Sequence, residues 1–286
     1  FFSLNSLFFL SNNYTQRVII TIMIDIEKNK KFQDKLNEKV LEEIFTELPE
    51  SFIQFLNTGV VNFSLHKIKS GRKNEISARV LNNWIASDVI NVSPDDKGKI
   101  KRFDKLESIW LNIVVEARKF GISLDFLKQS RKELFESPIK NFSLIKFHVL
   151  DSILKNPKIL LILENGYTKI LSYEIYNKWV SNKMLPTHIS FDLLDFVKPE
   201  FENHNFQSDF GIKEPYENVE KLKLLFYLKT GEFKCIKFFL NEFDVRYIEN
   251  SKHLLDNKEL TCILSNWEFL KAEVLVSDEV SVMIKS

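Results

Sequence analysis

The stretch Ser77-Ala78-Arg79-Val80-Leu81-Asn82-Asn83-Trp84 combines small, amide-bearing and cationic side chains at helical spacing. Those types suit the edges of base pairs. An Asn amide can bond adenine in two places, and an Arg can bond a guanine edge or a phosphate. Further on, Lys97, Lys99, Lys101 and Arg102 crowd a turn and its return segment, where cations can hold a phosphate backbone. From His66 to Arg102 nine Lys/Arg stand against four acids, a local charge of +5 on a chain whose formal charge is +1. A basic run is also what an ordinary solvated surface looks like, so charge alone does not decide. The candidate double-stranded DNA contacts are Ser77, Ala78, Arg79, Asn82, Asn83, Lys97, Lys99, Lys101 and Arg102.

Other chemistry has less support. His148, His188, His204 and His253 are scattered, without the spacing of a metal site. There is no Gly-rich phosphate loop and no nucleophile elbow. Asp192 and Asp195 near His188 come closest to a catalytic cluster, but a lone His beside acids is more often structural. Cys235 and Cys262 sit in apolar, strand-like segments and read as free, buried thiols of a reducing cytoplasm. The chain therefore reads as a cytoplasmic non-enzyme, with no cofactor and no metal. No run reaches the roughly 18 apolar residues of a membrane span.

The elements that must position the candidate contacts follow from pattern. Hydrophobic content of 44%, with 26 Phe, is ample for a buried core, and only 7 Gly and 7 Pro favour long helices over a turn-dense sandwich. Phe63-Ser64-Leu65-His66-Lys67-Ile68 reads as a brief helix capped by Ser64, with Leu65 and Ile68 inward; Ser70–Asn74 is a turn. Ser77 caps a second helix through its hydroxyl. Val80, Leu81 and Trp84 are expected to anchor that helix, leaving Ala78, Arg79, Asn82 and Asn83 outward. Asp95-Asp96-Lys97-Gly98-Lys99 is a turn between the extended pieces Ile90–Val92 and Ile100–Phe103, which makes a hairpin. Asp104 with Glu107 resembles a capping box and starts a helix with Leu106, Trp110, Ile113, Val114 and Ala117 on one face. Gly121 closes it, and Ser123 opens the next helix, carrying Leu124, Leu127 and Leu134.

In this order the segment resembles the MerR-type helix-turn-helix family of transcriptional regulators. Ile76-Ser77 matches the Val-Ser that opens that family's recognition helix, Leu81 its central leucine and Trp84 its closing aromatic. Val89-Ile90 matches the pair leading into the wing, and Lys101-Arg102-Phe103 stands where the family has an Arg-x-Tyr wing strand. Arg118, Phe120-Gly121-Ile122-Ser123-Leu124 and Leu127 match its following helix pair. The likeness covers about residues 63–134 and implies a winged helix-turn-helix and a sequence-specific transcriptional regulator. Asn82 stands where the family usually has an arginine. No apolar heptad follows Leu134, so the family's coiled-coil dimer has no counterpart and a homodimer is left open. No cysteine lies near the wing, which argues against metal sensing. The effector and target site are unnamed by the sequence. Two rivals stay open: an excisionase-like architectural DNA protein of a mobile element, and a protein-interaction module that no longer meets DNA.

The flanking regions complete an α+β reading, with an N-terminal helical region and a C-terminal mixed domain. Residues 1–22 are expected to be an overrun or disordered tail before Met23; 23–60 a helical segment; 61–136 the winged unit; 137–286 the α+β domain. In the first of these, Phe32 to Leu48 recur at helical spacing, as an ordinary packing helix or a dimerisation helix, Pro49 breaks the run, and Ser51 caps a short helix to Leu56. In the last, helices are expected over Leu144–Leu154, Tyr173–Val180 and Val219–Leu228. Strands are expected at Ile159–Leu163, Tyr167–Leu171, His188–Phe191, Ile236–Leu240, Phe243–Tyr247, Val274–Val276 and Val280–Ile284, with a polar loop from Asn203 to Pro215. Glu217–Asn250 repeats helix, turn, strand, turn, strand, which is either a second winged module or a scaffold helix on a sheet.

Overall fold

The computed structural model describes residues 49–66, 76–92, 101–136, 142–163 and 166–286. Of these, Glu50–Ser286 form one compact unit, mixed α+β with two small antiparallel sheets. The expected tail 1–22, the helix before Pro49, Ile68, the Ser70–Asn74 turn and the Asp95–Lys99 hairpin tip lie outside the described residues, and of the two extended pieces expected to flank that tip, residues 90–92 and 101–102 form no strand and Phe103 makes a single bridge.

Side-chain caps start most helices. After α1 (Glu50–Leu56), the Thr58 hydroxyl accepts from the Val61 N–H and opens α2 (Gly59–Leu65). Ser51 and Ser64 were the expected caps here, and neither is one. Ser51 lies inside α1 and donates to the Tyr216 carbonyl. Ser64 is buried in α2 and donates to Glu232. Ser77 opens α3 (Ala78–Ala86), Asp104 opens α4 (Lys105–Lys119) and Ser123 opens α5 (Leu124–Phe135), each through the expected oxygen. Gly121, at φ +81°, takes the left-handed position after α4.

Past residue 141 the core is built on two helices buried nearly all round. In α6 (Leu144–Leu154) every residue from Ile145 onward is buried, and in α9 (Val219–Thr230) so are Leu222 and Leu224–Thr230. Such helices belong at the centre of a fold, and they pack on each other and both on α1. Gly231 closes α9 at φ +67°, where a Cβ would stand 2.2 Å from the Asn203 carbonyl oxygen. Only glycine fits there.

The first sheet has the order β2-β1-β3, from β1 (Lys158–Leu163), β2 (Thr168–Ser172) and β3 (His188–Asp192). β1 is central, and Leu160 lies between Ile170 and Phe191. Helix α7 (Tyr173–Ser181) joins β2 to β3, and α8 (Leu193–Val197) follows, capped by Asp192. The second sheet has the order β5-β4-β6-β7, from β4 (Cys235–Phe239), β5 (Val245–Ile248), β6 (Lys271–Leu275) and β7 (Ser281–Lys285). The expected β4–β5 hairpin forms, its turn held by the Asn241 carboxamide accepting from the Phe243 and Asp244 N–H groups. Two helices absent from the pattern reading, α10 (Ser251–Asp256) and α11 (Lys258–Asn266), link β5 to β6. The unit from α9 is thus a helix on a four-stranded sheet, the scaffold alternative rather than a second wing. Cys235 is half-buried, whereas Cys262 is exposed on α11, so it is neither in a strand nor buried.

Candidate nucleic-acid interface

Helix α3 presents two faces. Leu81 and Trp84 are buried, at 2% and 6% exposure, and Ile76 is buried just before the cap. Ala78, Arg79, Asn82 and Asn83 are exposed, and Ser77 is exposed at the cap with its Oγ 3.3 Å from the Val80 N–H it accepts. The side chains of Arg79, Asn82 and Asn83 make no hydrogen bond or ion pair among the described residues. Val80 was expected inward, but it is 40% exposed. Leu81 and Trp84, three apart, define the inward stripe of a nine-residue helix, which turns Val80 toward the Arg79 side.

Three contacts fix the end of α3. The Val89 N–H bonds the Trp84 carbonyl at 2.9 Å. The Val89 carbonyl accepts the buried Trp110 indole N–H at 2.8 Å. Asp88, in left-handed backbone at φ +57°, meets the Lys128 ammonium of α5 at 2.8 Å. That ion pair holds the Asp88 carboxyl below the usual carboxylate range and raises Lys128. Trp110 was expected only as core; its donor role needed the fold, because Val89 is 21 residues away.

Behind these lies a second tie. Arg131 of α5 grips Glu107 of α4 with two N–H groups, at 2.6 and 3.0 Å. The Asp104 carboxylate does accept from the Glu107 N–H at 2.8 Å. The reciprocal half of a capping box is replaced by this grip. Burial pushes the Glu107 carboxyl up, outweighing Arg131, while an N–H from the Asn91 backbone also favours its charged form. Residues 88–91 are therefore held by Lys128, Trp110 and Glu107 in turn.

Of the expected basic wing, Lys97 and Lys99 lie outside the described residues. Lys101 is half-exposed and Arg102 exposed, leading into Phe103, which is buried. His66, closing α2, lies 2.9 Å through Nδ1 from the Asp104 carboxylate that caps α4. The helices on either side of α3 are thereby joined. Helices α2 and α4 are tied to the remainder by Lys105, fully buried, whose ammonium meets Glu232 just past α9, lies 3.3 Å from the Ser64 hydroxyl and sits 3.9 Å over the Phe201 ring.

The histidine–acid cluster separates on folding. Asp192 caps α8 and accepts from the Tyr173 hydroxyl at 2.5 Å, which pushes that phenol up to about 12. His188, at the other end of β3, lies 2.8 Å through Nδ1 from the Pro186 carbonyl. His148 is buried on α6, and burial, then the Lys158 charge, lowers it to about 3. No helix among the described residues is long and apolar enough to cross a membrane. Comparison of the chain with protein-family models, curated proteins and solved structures finds no match.

Proposed function

We propose that the chain is a cytoplasmic, sequence-specific DNA-binding transcriptional regulator, reading the major groove with α3 and clamping the backbone with the basic segment that ends at Arg102. The observation that carries this is the uncommitted outer face of α3, with Arg79, Asn82 and Asn83 exposed on a helix whose inner face is buried and whose end is clamped. A reading helix needs both properties: free donors and acceptors, and a rigid seat. The exposed Val80 adds an apolar group suited to a thymine methyl. The order helix, helix, basic segment, helix, helix is the order of the MerR-like winged head that the motif matches suggest.

The test is selection of bound sequences from random duplexes at two salt concentrations, with Asn82→Ala and Lys101→Ala alongside. Asn82→Ala should relax preference at one base pair by about 1–3 kcal/mol, whereas Lys101→Ala should weaken all sequences alike and lower the salt slope by about 1. Salt-sensitive binding without an enriched motif would favour the architectural alternative. If neither change alters binding, the assignment fails.

A further inference from the structure

Arg79 and Ala86 lie opposite the buried stripe of α3. Each helical residue turns its side chain by about 100°, so the direction midway between Leu81 and Trp84 points about 170° away from both. Asn82 and Asn83 stand between them, one on each side of that outer ridge. All four residues are exposed, and the three polar side chains have no partner among the described residues. One turn from Asn82 in either direction are Ala78 and Ala86, at i−4 and i+4. Two methyl groups bracketing one carboxamide let the helix come close to a surface with only the amide projecting. Past Ala86, the exposed Asp88 carboxylate is neutralised by the Lys128 ammonium at 2.8 Å. The end of α3 therefore offers a phosphate backbone little repulsion.

We propose, on the reading of α3 as the DNA-reading helix, that Ala86 is a specificity residue and that the helix selects a triplet of one G·C pair followed by two A·T pairs. Arg79 to Ala86 spans about 10 Å, seven residues at about 1.5 Å each, the length of about three base-pair steps. Side chains that recur every three or four residues on such a helix meet successive base pairs, three of them in a zinc-finger helix. The contacts follow chain order. Arg79 presents a fork of N–H donors to guanine O6 and N7, and the Asn82 carboxamide presents a donor and an acceptor to adenine N7 and N6. The Ala86 methyl packs on the C5-methyl of thymine. A G·C pair at that third position would leave its polar groove edge against a methyl group and unpaired.

The test is selection of bound sequences from random duplexes with the full chain, then titrations on the selected duplex with thymine replaced by uracil one position at a time. Uracil lacks only the methyl group. The motif should hold one G·C pair next to two A·T pairs. Uracil at the A·T pair farther from the guanine should weaken the wild type about fourfold, as loss of one buried carbon does. In Ala86→Gly the same replacement should change affinity by less than about 1.5-fold, because the methyl has lost its neighbour. Arg79→Ala should lower the preference for G·C at the first pair about tenfold. Thymine and uracil duplexes are compared on one protein at a time, so a general weakening from glycine in the last turn of the helix cancels. A motif of another composition, a uracil duplex bound as well as the thymine one, or a uracil penalty that survives in Ala86→Gly overturns the triplet and leaves α3 as a DNA reader. The absence of any enriched motif overturns the reading of α3 and the triplet with it.

Discussion

Arg131→Met gives the sharpest test of how the candidate reading head is held. The Arg131 and Glu107 side chains are 13% and 16% exposed, so the pair is nearly dry. Losing the cation leaves the carboxylate buried with the Asn91 N–H as its remaining stabilising contact. Breaking such a pair from one side costs about 3 kcal/mol at neutral pH. A part of this is independent of pH, because the guanidinium also lies 4.3 Å over the Phe135 ring; that contact contributes about 0.5–1 kcal/mol. The rest depends on Glu107 being charged. Its carboxyl is already pushed up by burial in the intact protein, and without Arg131 it must rise further. A carboxyl raised by folding binds more protons in the folded state than in the unfolded one. Its penalty is therefore absent below the unfolded pKa and grows as pH rises through the folded value. The deficit of Arg131→Met should be about 1 kcal/mol near pH 4 and about 3 kcal/mol near pH 7.5. Urea melts of both proteins across that range measure it, with Glu107→Gln/Arg131→Met as the control that removes the pH dependence. A deficit that is flat with pH, or larger in acid, would refute the reasoning.

Two further outcomes follow. His148 is held neutral down to about pH 3 by burial and the Lys158 charge. The unfolded chain takes up that proton below about 6.5, so stability is full above that pH and falls toward pH 3 by up to about 1.4 kcal/mol per unit. His148→Leu should flatten this slope in melts between pH 7 and 4, and identical slopes would contradict it. Trp110→Phe removes the donor to the Val89 carbonyl and leaves a small void, which should cost about 2 kcal/mol. Because that bond seats the end of α3, anisotropy titrations should show a selected duplex losing more affinity than a random one, and equal losses would argue that the seat is irrelevant to reading.

The sequence determined by itself what depends on neighbours a few residues apart. Ser77, Asp104 and Ser123 each open a helix because an oxygen there reaches an N–H three residues on. The buried stripe of Leu106, Trp110, Ile113, Val114 and Ala117 is visible as a period, and the β4–β5 turn through Asn241 is equally local. The helix pair α10 and α11 escaped this reading because only Asn257 separates two short polar helices, capping the second as it ends the first. Tertiary structure alone decided the partners of the buried charges. Lys105 meets Glu232 across 127 positions and Arg131 meets Glu107 across 24, and no local pattern distinguishes these cations from solvated ones. It also decided that β4 pairs with β6 across β5 and two helices, and that Tyr247, Val245 and Met283 are left exposed. Alternation within a strand reveals that two faces differ, but the register against its neighbours and the packing of α9 determine which of them water sees.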